Sequence, residues 1–190
     1  MTRKTDAREN AIAAAIRLFR LQGYTATGLT QILEESGAPK GSFYFHFPKG
    51  KVQLAEEAID RYVAQRIAVI QAVSAETTGD ALGFTQRLIG SFAADMKASD
   101  FRYGCLMQNL ANELPALDAD LTQRVAQGFA TSTEIIRRHF EGCGLSGGKA
   151  RSAAAALVAS LEGARTVARL ERSPAVFEAL SEMAAQQWAA

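Results

Sequence analysis

The chain has 190 residues, 48% of them apolar and 22% charged, which is ordinary globular composition with enough length for a real core. That excludes a disordered chain, a collagen and a coiled-coil rod, and no apolar run approaches the roughly 18 residues that a membrane span requires. The net charge of +1 hides an asymmetry: residues 1–54 hold eight Lys/Arg against four Asp/Glu, and residues 55–190 hold thirteen against sixteen. A basic head on a mildly acidic body suggests an anionic partner for the head alone; chance clustering over so short a window is the equal alternative.

Alanine is abundant and there are four prolines, so helix propensity is high almost everywhere. The spacing predicts a first helix over 5–22, with Ala11, Ile12, Ala15, Ile16, Leu18 and Phe19 on one side and Gly23 as its stop. A short helix over 28–36 follows, with Thr27 as its cap and Gly37 ending it. A third short helix runs from Pro39 to His46, and Pro48 and Gly50 break the pattern. Longer helices are predicted over 51–74, 80–98, 101–114 and 118–141. The segment Gly142–Gly148, with four glycines in seven positions, is a loop. The last two helices are predicted over 148–172 and 174–189, split at Ser173-Pro174. The fold class is all-α, divided as residues 1–50, a three-helix helix-turn-helix domain, and residues 51–190, a helical ligand-binding and dimerisation domain.

The first three helices carry the informative motif. In a helix-turn-helix one helix braces the next across a tight turn that often contains glycine. Here Ile32 and Leu33 face inward, Gly37 makes the turn, and Phe43 packs from the following helix. That helix reads Lys40-Gly41-Ser42-Phe43-Tyr44-Phe45-His46. Lys40 meets a phosphate, Gly41 lets the backbone approach, Ser42, Tyr44 and His46 supply donors, and Phe45 presses on a thymine methyl. The competing reading is a plain helical hairpin with surface aromatics, but an exposed aromatic run without a partner is costly.

Gly23-Tyr24-Thr25-Ala26-Thr27 through Ile32, followed by Ala38-Pro39-Lys40-Gly41-Ser42-Phe43-Tyr44-Phe45-His46-Phe47-Pro48, resembles the TetR family of bacterial repressors. Leu33 stands where that family usually has Ala. The Phe47-Pro48-Lys49-Gly50-Lys51 spacing is one residue longer than usual and is similar to the LmrA-like subgroup. The resemblance implies DNA contacts from Lys40, Gly41, Ser42, Tyr44, Phe45 and His46, with Thr27 and Thr30 at the second helix and Lys51 as the phosphate-contacting lysine. Arg3 and Lys4 would add an arm. It also implies a double-stranded DNA operator, a small-molecule inducer and a homodimer through residues 150–189. The small-residue run of residues 150–171 would form the packing face, with Ala164 on it.

The middle helices carry larger apolar groups. Phe92, Phe101, Cys105, Met107, Leu110, Phe129 and Glu162 are the candidates for an inducer site, with Asn109, Asn112 and Glu113 as further polar handles; for any one of them plain core is the commoner role. Cys105 lies in Gly104-Cys105-Leu106-Met107-Gln108-Asn109-Leu110, a segment similar to TetR-type electrophile sensors, in which a basic residue such as Arg169 assists. The alternative is a buried structural cysteine.

Against an enzyme, the sequence holds no nucleophile elbow, phosphate-binding glycine loop, paired-histidine metal motif or dinucleotide fingerprint. It implies no cofactor and no metal. A helical ligand carrier without DNA activity would show decay of the third helix, which is intact. The basic start, Met1-Thr2-Arg3-Lys4, has no apolar signal core behind it, so the sequence reads as cytoplasmic.

Overall fold

High helix propensity and the absence of β-branched runs lead to a chain whose regular secondary structure, among the described residues, is all helical. The computed structural model describes residues 2–188, with side chains from residue 7, so the side chains of Arg3 and Lys4 lie outside the described residues. The helices are α1 (Thr2–Gln22), α2 (Leu29–Ser36), α3 (Lys40–His46), α4 (Lys51–Glu76), α5 (Ala81–Ala98), α6 (Leu106–Glu113), α7 (Ala119–Gly142), α8 (Gly147–Glu171) and α9 (Ala175–Trp188). A 3-10 turn, Leu114–Ala116, follows α6. No helix among the described residues is long and apolar enough to cross a membrane.

Two departures from the sequence reading have local causes. Gly28, not Thr27, is the N-cap of α2, and no side chain caps it. Thr27 is fully buried and its hydroxyl donates to Gly23 O at 2.6 Å, so it shapes the turn before the helix. The second departure is at 101–105, which is not helical. Asp100 and Phe101 have φ of 51° and 57°, and the Phe101 N–H donates back to Met96 O at 2.8 Å. The chain therefore closes α5 with a left-handed reversal before α6 begins. No glycine marks the two positions, so the reversal was not visible as a break.

The chain forms two compact units. The first comprises residues 1–64 and 105–128. In it α1 packs on α2, α3 and α6. Its core is built from Ile12, Leu18 and Phe19 of α1, Ile32 of α2, Phe43 of α3, Phe47, Leu54 of α4, and Leu106, Met107 and Leu110 of α6, all buried. At Gly128 an added Cβ would lie 2.6 Å from Val63 Cγ2 and 2.8 Å from Met107 Sδ, so glycine allows α7 its approach to α4 and α6.

The second unit comprises residues 65–104 and 129–190. Here α5 packs on α8 and α9 around Phe84, Leu88, Phe92, Phe140, Leu161 and Phe177. Ala150, Ala154, Ala164 and Ala168 of α8 belong to the same buried cluster. They recur at helical spacing and let α8 lie close to its neighbours. Ala164, expected on a dimer face, is thus part of the protomer's own core. The opposite side of α8 carries Ala156, Ala159, Gly163, Val167 and Leu170, all exposed.

Candidate nucleic-acid interface

The inner side of α3 is fixed by two aromatic side chains. Phe43 and Phe47 are buried with ring centroids 5.1 Å apart. Tyr44 sets its ring edge-on to Phe43 at 5.4 Å and an interplanar angle of 84°. The outer side is therefore defined. Lys40 and Gly41 are exposed, Tyr44 is 45% and Phe45 69% exposed, and Ser42 and His46 are half-buried. Phe45 stands edge-on to His46 at 5.1 Å. Beyond Gly41, a Cβ would meet no atom within 4 Å, so the start of α3 is open to close approach by a partner.

The turn geometry aims this helix. Gly37 has φ of 64° and ends α2 with its N–H on Glu34 O, in a left-handed conformation that glycine adopts without steric cost. Pro39 precedes α3 as its N-cap, and Gly50, at φ of 67°, ends the segment before α4. Thr30 is exposed in the first turn of α2. Lys49 is exposed, whereas Lys51 is half-buried: its Nζ donates to Tyr24 O at 2.6 Å and sits 4.0 Å from the Tyr24 ring centroid. Burial pushes the Lys51 ammonium below its ordinary range, and the Glu113 carboxylate opposes that shift.

Sequence reasoning missed one contribution to this unit. Asn109 Nδ2 donates to Phe19 O at 2.9 Å and to Arg20 O at 3.0 Å, two carbonyls in the last turn of α1. Glu113 accepts the N–H groups of Tyr24 at 3.1 Å and Thr25 at 2.6 Å. The two residues stand four apart on α6, on one side of that helix. Their partners lie about ninety residues away in the chain, so no local pattern announces them.

The residues expected at an inducer divide between the units. Cys105, Met107 and Leu110 are fully buried in the first unit. Phe92, Phe101, Phe129 and Glu162 belong to the second. There two guanidinium groups lie over the Phe92 ring, those of Arg66 at 4.3 Å and Arg165 at 4.4 Å from its centroid. Arg66 pairs with Glu162 at 2.6 Å and Arg165 with Asp95 at 3.0 Å. Phe101 and Phe129 are half-buried. Glu162 Oε2 and Arg66 Nε are buried without a hydrogen-bond partner.

Residues 11–58 match the model for the bacterial regulatory proteins of the tetR family, and residues 81–183 match that of the LmrA/YxaF-like C-terminal domain of transcriptional regulators. The HTH-type transcriptional regulator LmrA of Bacillus subtilis is 34% identical over 161 residues, 83% of this chain and 84% of that protein. The HTH-type transcriptional regulator YxaF of the same organism is 36% identical over 138 residues, covering 73% of this chain and 72% of YxaF. A TetR transcriptional regulator from Legionella pneumophila shares the fold with a TM-score of 0.86 at 21% identity, covering 94% of this chain and 95% of that one.

Proposed function

Because the chain belongs to the TetR family of DNA-binding transcriptional regulators, we propose that it is a homodimeric repressor released from a pseudo-palindromic operator by a small-molecule inducer. The observation that carries this reading is α3, whose buried Phe43 and Phe47 hold Tyr44 and Phe45 outward beside an open Lys40-Gly41 start. Lys40, Ser42, Tyr44 and His46 supply donors, Gly41 admits a phosphate, Phe45 offers an apolar surface to a thymine methyl, and Thr30 reaches the backbone. Lys51 supplies a phosphate contact through the N–H bonds that Tyr24 O leaves over. With duplex DNA as partner, the protein acts in the cytoplasm.

Dimerisation presents two α3 helices to half-sites about one helical turn, roughly 34–36 Å, apart or at a wider spacing that the dimer sets. The exposed small and apolar side of α8, with Met183 of α9 63% exposed, is the face assigned to the second copy. Functionally, residues 1–50 read DNA and residues 51–190 dimerise and respond to ligand. Phe92, Phe101, Phe129 and Glu162 are the inducer-facing candidates, and the inducer shifts a population toward dimers whose α3 helices no longer match the groove spacing. Complete burial of Cys105 favours a core role for that thiol, together with Met107 and Leu110, over one as an electrophile trap.

Selection from a random duplex library tests the proposal. Enrichment of one pseudo-palindromic sequence is expected, and Tyr44→Ala should lose that binding while keeping the wild-type unfolding midpoint. A library that yields no enriched sequence refutes it.

A further inference from the structure

We infer that Asn109 and Glu113 are positioning residues for DNA binding: from α6, far along the chain, they fix the α1–α2 turn on which the helix-turn-helix is built. Asn109 closes the end of α1 by bridging the Phe19 and Arg20 carbonyls. The Phe19 carbonyl also accepts the Gly23 N–H at 3.1 Å, so Asn109 adds a side-chain donor to the bond that closes the helix. One residue beyond Gly23, the Glu113 carboxylate takes two successive N–H groups, those of Tyr24 and Thr25. Lys51 takes the Tyr24 carbonyl from the other side. Tyr24 is therefore held at its N–H by an anion and at its C=O by a cation, each matched to the polarity of the group it meets.

Gly23 is part of the same device. Its φ of 84° favours glycine, and a Cβ there would collide with the Glu113 carboxylate. Thr27 completes the turn by donating to Gly23 O, after which Gly28 starts α2. The orientation of α2, and through Gly37 that of α3, thus depends on a helix end and a turn that side chains from residues 51, 109 and 113 hold in addition to the local bonds of Gln22 and Thr27. None of the three lies within the helix-turn-helix.

The inference rests on the DNA-binding reading and is tested with the duplex that the wild-type protein selects, alongside an unrelated duplex of equal length. Wild-type protein that selects no duplex fails the DNA-binding reading itself and is thereby distinguished from failure of this inference. For Glu113→Ala, Coulomb's law alone predicts tighter binding of both duplexes, because a negative charge is removed near DNA. The positioning role predicts the reverse for the selected duplex, a loss of roughly tenfold or more, comparable to losing one hydrogen bond to a charged group. Affinity for the unrelated duplex should hold or rise. Glu113→Gln, which keeps an acceptor oxygen, should recover part of the loss, and Asn109→Ala should reproduce it. Amide hydrogen exchange should quicken at Tyr24 and Thr25 in Glu113→Ala.

Three results would overturn the inference. One is faster exchange at Tyr24 and Thr25 with selected-duplex affinity unchanged. Another is an equal fall in both affinities. The third is a fall that tracks a lowered unfolding midpoint in Glu113→Gln and Asn109→Ala alike.

Discussion

Two buried polar sites of the second unit, an ion pair and a histidine, show how single side chains carry stability. The side chains of Arg66 and Glu162 are 7% and 9% exposed and lie 2.6 Å apart beside the Phe92 ring. A charge in such a place is tolerated only while its partner remains. Glu162→Ala should cost about 3–5 kcal/mol in urea unfolding, because Arg66 is left buried and uncompensated. Replacing both residues together by methionine should cost much less, and equal losses in the two proteins would argue against a true buried pair. His139 makes the second case. It is 8% exposed, stacked on Phe84 at 4.0 Å, with Nδ1 2.8 Å from Ser74 Oγ. Burial pulls its pKa below 6.5, and the Asp80 carbonyl and charge pull it back up. The unfolded chain then binds a proton that the folded chain resists. The contribution of His139 to stability is present above about pH 6.5 and lost as pH falls below that toward the folded pKa. The unfolding midpoint should therefore fall between pH 7 and pH 5, and His139→Phe should flatten that part of the profile. Parallel profiles would show that another group is responsible.

At the scale of the helix, α8 has two faces made of similar residues with opposite fates. Ala150, Ala154, Ala164 and Ala168 are buried within the protomer. Ala156, Ala159, Gly163, Val167 and Leu170 are exposed, Leu170 by 80%. A charge therefore has different effects on the two sides. Ala159→Glu should leave the unfolding midpoint of the protomer near wild type but give a monomer in sedimentation and lose affinity for the selected duplex. Ala164→Glu should instead destabilise the protomer itself, by a few kcal/mol, because the carboxylate enters a packed core. A dimeric Ala159→Glu protein would move the interface elsewhere. Gly128 is a comparable test in the first unit. Gly128→Val forces atoms against Val63 and Met107 and should cost about 1–3 kcal/mol in thermal unfolding.

For the whole molecule, charge and apolar surface are segregated, and that separates two kinds of binding. The excess of positive charge lies in residues 1–54, and the free side of α8 is apolar. DNA affinity should fall steeply and linearly in the logarithm of salt concentration, because phosphate contacts release counterions. Dimer affinity should be nearly flat or rise over the same range. Measuring both on one protein checks the division, and a dimer that dissociates in parallel with DNA would contradict it.

The sequence alone determined the helical fold, the helix-turn-helix and the family, because these rest on local physics. Apolar spacing sets each helix, Gly37 sets the turn, and the Lys40–His46 run places aromatic groups on a seven-residue helix. Even there, local signals misjudged Thr27, whose hydroxyl serves Gly23 O, and the reversal at Asp100 and Phe101, which no glycine announces. What only the tertiary structure decided is which of several equivalent residues meet. Sequence could not say which alanines of α8 are buried, since both faces are small. Nor could it show that Glu162 pairs with Arg66, or that Asn109 and Glu113 reach the end of α1 and the turn beyond it. Those contacts join residues some ninety or more positions apart, and the backbone and charge complementarity that selects them exists only once the helices have packed.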